Sequence, residues 1–241
     1  MVSVLQTDLE EHEAWTKAGP VVSRLPDDQI ENLEAQTMAT VADPVPMGLW
    51  AFATGTWIAG TVFGGALSTA TFPQVAPILI IFGGFAQFIA GLFAYRRANA
   101  LAATSFCCIG SLYTALGFIF LLAAGALVGT TAPDQLVIGF LIESFCFIAL
   151  ALTLAAIETN WAAVAMFGLL AIGYGCAGIP YLVNSVNVGG WGIVGNIGGW
   201  FMCASAFCAA YLGLALIVNT TRKRAIMSIW GRPWGVRRPA Q

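Results

Sequence analysis

Between positions 47 and 218 the chain alternates long apolar runs with short polar or Gly/Pro-containing separators. Six runs stand out, at 47–69, 75–95, 101–127, 136–157, 161–183 and 193–218. Each is close to the ~20 helical residues that cross a hydrocarbon core of ~30 Å. The separators are Pro73 and Pro77, the string Tyr95-Arg96-Arg97-Ala98-Asn99, the stretch Gly129 to Asp134, the triplet Glu158-Thr159-Asn160, and the glycine-rich Asn187 to Gly192. Backbone groups in lipid must be satisfied within the segment, and the runs lack the period-two alternation of a membrane barrel, so they predict helices. The pattern predicts an all-α membrane protein with six transmembrane helices in a domain spanning 43–220. Residues 1–42 are different: eight acids face Lys17 and Arg24, a net charge of −6, and large apolar residues are few. That composition predicts a disordered acidic tail. It contains no apolar stretch of the kind a signal peptide carries. Residues 221–241 form a basic C-terminal tail.

Composition sharpens this picture. Over 241 residues, 59% are hydrophobic, 9% are charged, and the mean hydropathy is +0.81. A soluble domain is about 45–50% apolar and about 25% charged. A disordered chain, a nucleic-acid binder and most soluble enzymes are excluded. The placement of Lys and Arg sets orientation. After the first tail the bases are Arg96 and Arg97, then Arg222, Lys223, Arg224, Arg232, Arg237 and Arg238. Six crossings from a cytoplasmic N-terminus put all ten basic residues inside, with both termini cytoplasmic and the chain multi-pass in the plasma (cytoplasmic) membrane. The C-terminal clusters would meet anionic headgroups. Trp161, Trp191 and Trp200 lie near helix ends and read as interfacial anchors.

The chemistry-bearing residues are few. The only histidine, His12, lies in the acidic tail, and the six cysteines sit in apolar stretches without a CxxC pair, so they read as packing residues. No metal site, cofactor, phosphate loop or nucleophile relay can be built, and an enzyme is not expected. The first helix opens with Asp43-Pro44-Val45-Pro46-Met47-Gly48-Leu49. Two prolines suit a first turn, where N–H groups have no intrahelical partner, and Asp43 suits a cap. Such a start is either a plain helix beginning or a receiver for a carboxylate at the positive end of the dipole. Gln87 lies mid-helix and reads either as interhelical glue or as pore lining. Thr56, Thr104 and Ser111 offer hydroxyls to a passing carboxylate, or else to their own helix backbone. Glu143 is the one charge inside a run; it is a proton site, a hydrogen-bonded packing residue, or a group near the headgroups. Glycines along the helices predict close packing, with pore lining and contacts between copies as further uses.

Three strings of residues resemble the acetate uptake transporter family, the bacterial succinate–acetate permeases and fungal acetate permeases. The first is Asp43-Pro44-Val45-Pro46-Met47-Gly48-Leu49 followed by Phe52. The second is Gly83-Gly84-Phe85-Ala86-Gln87-Phe88-Ile89-Ala90-Gly91 with Tyr95-Arg96-Arg97-Ala98-Asn99, continued by Thr104, Phe106, Gly110 and Ser111. The third is Gly199-Trp200 with Ala204, Tyr211 and Asn219. The resemblance spans about residues 43–220. It implies a permease or channel for acetate and similar small monocarboxylates, with proton coupling as one of its modes, assembled as a hexamer. It also implies a constriction of Phe, Tyr and Leu, which falls on Phe52, Ile109 and Leu169, with Tyr113 one turn beyond Ile109 to supply the missing hydroxyl. Asp43 and Met47 replace the family's Asn and Leu. A pore for succinate or a neutral solute is the second reading, and a membrane scaffold or sensor without transport the third.

Overall fold

The computed structural model describes residues 42–126, 133–183 and 191–231. The acidic tail, apart from Ala42, and the last ten residues, with Arg232, Arg237 and Arg238, lie outside the described residues. Six helices follow one another: α1 (Val45–Phe63), α2 (Thr69–Arg96), α3 (Ala100–Ala123), α4 (Gln135–Ala156), α5 (Trp161–Leu182) and α6 (Gly192–Arg222). The described residues contain no strand. Five of the helices, α2 to α6, are long and apolar enough to cross a membrane. In α1, Thr54, Thr56 and Thr61 and three glycines dilute the apolar character, yet eleven of its nineteen residues are buried. Its neighbours in the bundle, rather than lipid, are its solvent.

The termini of these helices follow local chemistry. Helix α1 stops at Phe63, earlier than the run suggested, because Gly65 adopts φ +76°, a left-handed conformation that favours glycine. Asn99 accepts from the Ala102 N–H at 3.1 Å, Asp134 from Leu136 N–H at 2.7 Å, and Asn160 from Ala163 N–H at 2.8 Å, capping α3, α4 and α5. Helix α2 is compound. A 3₁₀ turn (Thr69–Thr71) leads into an α segment (Phe72–Ile78), then a π-helical segment (Leu79–Ala86), before α geometry returns at Gln87. Pro77 cannot donate to the carbonyl one turn back, and the wider π turns follow directly after it.

Small residues are consumed inside the protomer. A Cβ on Gly199 would run into the Gly64 amide nitrogen and come within 2.5 Å of the Gly60 carbonyl oxygen, so α6 lies backbone to backbone on α1. On another side of α1, a Cβ on Gly55 would come within 2.6 Å of the Gly83 Cα of α2. Bulky side chains face outward instead: Phe140, Phe147 and Leu154 of α4 are 67%, 72% and 70% exposed. Trp161 and Trp200 face outward as anchors would, but Trp191 does not. It is 2% exposed, turned into the bundle among other rings.

The starts of α1, α3 and α5 share one end of the bundle with the ends of α2 and α6, which carry Arg96, Arg97 and Arg222. There the chain after α6 doubles back rather than trailing away. The Asn219 side chain accepts from the Ile226 and Met227 N–H groups at 2.7 and 2.9 Å and donates to the Met227 carbonyl at 2.8 Å. Tyr211 donates to the Ser228 carbonyl at 2.6 Å and stacks on Trp230, and the Gly231 carbonyl accepts from Trp161 N–H at 3.2 Å. The close α1–α6 approach predicts that Gly199→Ala destabilises the fold by about 1–3 kcal/mol. Gly168→Ala, whose Cβ would meet only the Thr153 methyl at 3.7 Å, should stay within about 0.5 kcal/mol. Thermal unfolding in detergent distinguishes the two.

Candidate functional site

Three helices that start at the basic end, α1, α3 and α5, place their inward residues in matching register. The Thr56 and Tyr113 hydroxyls lie 2.6 Å apart, and the Tyr174 hydroxyl donates to that of Tyr113 at 3.2 Å. Seven residues further along each helix come Phe63, Phe120 and Tyr181, where Phe63 sits with its ring centroid 6.3 Å from Phe120 and 6.4 Å from Tyr181. Seven residues the other way come Leu49, Phe106 and Phe167, which border one cavity. Four residues before the hydroxyl layer come Phe52, Ile109 and Leu170. Two turns of helix repeat nearly every seven residues, so each helix offers one stripe to the axis, layer by layer.

Two cavities lie at opposite ends of this stack. The one at the basic end has a volume of about 150 Å³ and is bordered by the first turns of α1, α3 and α5, including Val45, Ala102 and Ala163. Three N-termini, each with a positive dipole end, therefore surround it. The other, of about 500 Å³, is bordered by Phe72, Phe120, Tyr181 and Trp191. Between them Phe52, Thr56, Ile109, Tyr113, Leu170 and Tyr174 are each at most 1% exposed. The arrangement is two vestibules and a closed barrier, apolar on one level and hydroxyl-lined on the next.

The starting motif of α1 acquires a geometry here. The Asp43 carboxylate accepts from Val45 N–H at 3.1 Å, so its charge is spent on the helix start at the lip of the smaller cavity. Pro44 and Pro46 leave that turn with fewer free N–H groups to satisfy. A Cβ on Gly48 would fall within the Phe106 ring, and Leu49 is buried beside the cavity. Gly48 thus lets the Phe106 ring lie flat on α1 at the cavity floor.

Gln87 is fully buried, and neither its amide nitrogen nor its oxygen has a hydrogen-bond partner. It lies one turn beyond Gly83, the residue whose Cα presses on Gly55 beside Tyr113. Leaving both ends of an amide unpaired costs about 1–3 kcal/mol for each group. Such a cost calls for a functional reason.

Other sequence candidates fall elsewhere. Thr104 and Ser111 lie on the exposed face of α3, about 140° around the helix from Ile109 for Thr104. Ser111 donates to the Cys107 carbonyl at 2.8 Å, as a membrane hydroxyl satisfied by its own helix does. Leu169 is half-buried and stands next to the register that Leu170 occupies. Glu143 packs its carboxyl against Gly178, one turn beyond Tyr174 on α5, in the seam with α4 where Cys146 donates to the Ala171 carbonyl, and its buried Oε1 has no hydrogen-bond partner. The residue the sequence reading missed is Tyr174; its offset of four from Leu170 on an inward stripe was the available signal. Tyr113→Phe should destabilise the protein by about 1–3 kcal/mol, because it strips the Thr56 and Tyr174 hydroxyls of their shared partner. Ser111→Ala should leave the melting temperature in detergent unchanged.

The family model described as the GPR1/FUN34/yaaH family matches residues 29–230. The chain is 25% identical over 183 residues to the ammonia transport outward protein 2 of Saccharomyces cerevisiae, a match over 74% of this chain that spans 64% of the yeast protein's length. It is 24% identical over 196 residues to the succinate-acetate/proton symporter SatP of Escherichia coli K12, covering 78% of this chain and 95% of that one. Among solved structures, that of the bacterial acetate channel SatP superimposes with a TM-score of 0.70 at 23% identity, covering 79% of this chain and 99% of the other, which shows a shared fold.

Proposed function

The chain belongs to the GPR1/FUN34/yaaH family, and from that premise we propose that this integral multi-pass membrane protein carries acetate and similar small monocarboxylates across the membrane. The observation that carries the proposal is the closed barrier between two cavities, with an unpaired buried amide, Gln87, beside it. The basic end faces the cytoplasm, by the distribution of Lys and Arg. A carboxylate approaching from that side meets three helix N-termini before the Phe52–Ile109–Leu170 level. Its methyl group suits the apolar layer. Its oxygens need donors, and the Thr56, Tyr113 and Tyr174 hydroxyls and the Gln87 amide are the groups that replace lost hydration. Here Tyr113 supplies, one turn on, the hydroxyl that Ile109 lacks.

The names of the relatives support a transport protein rather than an enzyme, with acetate, succinate and ammonia as the cargoes those names give. The homo-oligomer implied by the resemblance, a hexamer, belongs to the same proposal. Because the glycine faces are used up within the protomer, the contact between copies would fall on bulky outer faces such as that of α4. Proton coupling through Glu143 belongs to the same proposal, since its carboxyl lies against Gly178, one turn from Tyr174 on α5.

Uptake of labelled acetate into proteoliposomes tests the proposal. The wild-type chain should carry acetate, and Gln87→Leu should slow it about tenfold or more, the weight of one hydrogen bond to a charged group. Absence of uptake for every short carboxylate removes the proposal, and swelling with neutral solutes alone points to the neutral-solute pore. In the same assay, an unchanged pH profile for Glu143→Gln removes that residue as a proton site.

A further inference from the structure

We infer that a second gate stands in series with the Phe52–Tyr113 constriction, at the end of the bundle away from Arg96 and Arg222, built of five aromatic rings and latched by a hydrogen bond from Trp191 to Tyr181. The inference rests on the proposed passage of a small acid along the bundle axis, and adds a second pair of residues that control it.

The rings come from four helices and from the residue that precedes a fifth: Phe63 from the end of α1, Phe72 from the start of α2, Phe120 from α3, Tyr181 from the end of α5, and Trp191 immediately before α6. All are buried, none more than 7% exposed. Phe72 stacks on Phe120 with centroids 4.2 Å apart and planes 7° from parallel. Trp191 meets Phe63 edge-on at 5.5 Å and Phe72 at 6.4 Å. The Trp191 indole N–H donates to the Tyr181 hydroxyl at 2.6 Å. This layer lies two helical turns, ~10 Å, from the Thr56–Tyr113–Tyr174 layer. It floors the 500 Å³ cavity, four of whose bordering residues belong to it.

A solute in that cavity therefore reaches the hydroxyl layer only by passing these rings. The single polar link among them joins the end of α5 to the start of α6. Breaking it leaves an indole N–H and a phenol unpaired in an apolar layer, so the link favours one closed arrangement. Pro180, next to Tyr181, lacks the N–H that would bind α5 to its preceding turn, and a Cβ on Gly195 would meet the Trp191 Cβ at 2.5 Å and the Pro180 ring at 3.1 Å. The latch is thus seated on the least regular part of α5 and on a bare patch of α6.

The test places a thiol between the two gates. Ala59 is fully buried, one turn from Phe63 on the side of Thr56. In detergent, the rate at which a polar maleimide modifies the thiol introduced by Ala59→Cys is followed by peptide mass spectrometry, so the native cysteines do not interfere. Trp191→Phe and Tyr181→Phe each keep a ring and remove one half of the latch. Each should raise the rate about fivefold to tenfold, and the double variant no further, since one hydrogen bond is lost in every case. Rates equal to the Ala59→Cys parent in both folded, monodisperse variants overturn the inference. Acetate flux is measured on the same preparations: a wild-type chain that carries no acetate defeats the transport reading, while the labelling rates still decide the gate.

Discussion

Helix α1 is fixed beside the axis because backbone meets backbone on two of its sides, Gly60 and Gly64 against Gly199 and Gly55 against Gly83. Lipid supplies no hydrophobic drive for helices to associate, so close approach and the dispersion contacts it allows have to do that work. The alignment of the layers follows from this fixed helix. Phe52 and Thr56 are held rigidly at the level of their partners on α3 and α5. With α1 displaced by one side chain's width, the 2.6 Å contact between Thr56 and Tyr113 could not exist.

With that helix fixed, polarity inside the barrier is rationed. Most hydroxyls of the bundle are spent on their own helix: Thr54 on Trp50, Thr61 on Ile58, Ser111 on Cys107, Thr114 on Gly110. Thr56, Tyr113 and Tyr174 are joined across helices instead, and Gln87 is joined to nothing. A barrier of only Phe, Ile and Leu would exclude a carboxylate along with everything else polar. A barrier rich in amides would fill with fixed hydrogen bonds. A short hydroxyl chain beside one unpaired amide offers donors that can turn to a guest at modest cost, because little has to be broken first.

Much of this was legible in the sequence. Six runs became six helices, five of them long and apolar enough to cross a membrane, while α1 is held chiefly by its neighbours in the bundle. The inward placement of Phe52, Gln87 and Ile109 followed from strings that resemble a known family. What could not be read were rotations and local irregularities. Thr104 and Ser111 face outward, since a hydroxyl's presence says nothing of which side of a helix meets the axis. Pro77 read as part of a separator and Gly83-Gly84 as packing residues, and the π turns that set the phase of Gln87 depend on packing against α1 and α3. Trp191 looked like an interfacial anchor from its position near a helix end, and its partner Tyr181 is what draws it inward. The return of residues 226–231 depends on Asn219 and Tyr211, which had appeared only as isolated matches in a string.

A small carboxylate in transit is expected inside the protomer, within hydrogen-bond reach of Gln87. Solid-state magnetic resonance on the protein in bilayers measures this directly, through dipolar dephasing between carboxyl-labelled acetate and the labelled side-chain amide of glutamine. The expected result is dephasing that is competed by unlabelled acetate and vanishes in Gln87→Leu. Bound acetate that shows no dephasing, or the same dephasing in Gln87→Leu, would contradict it.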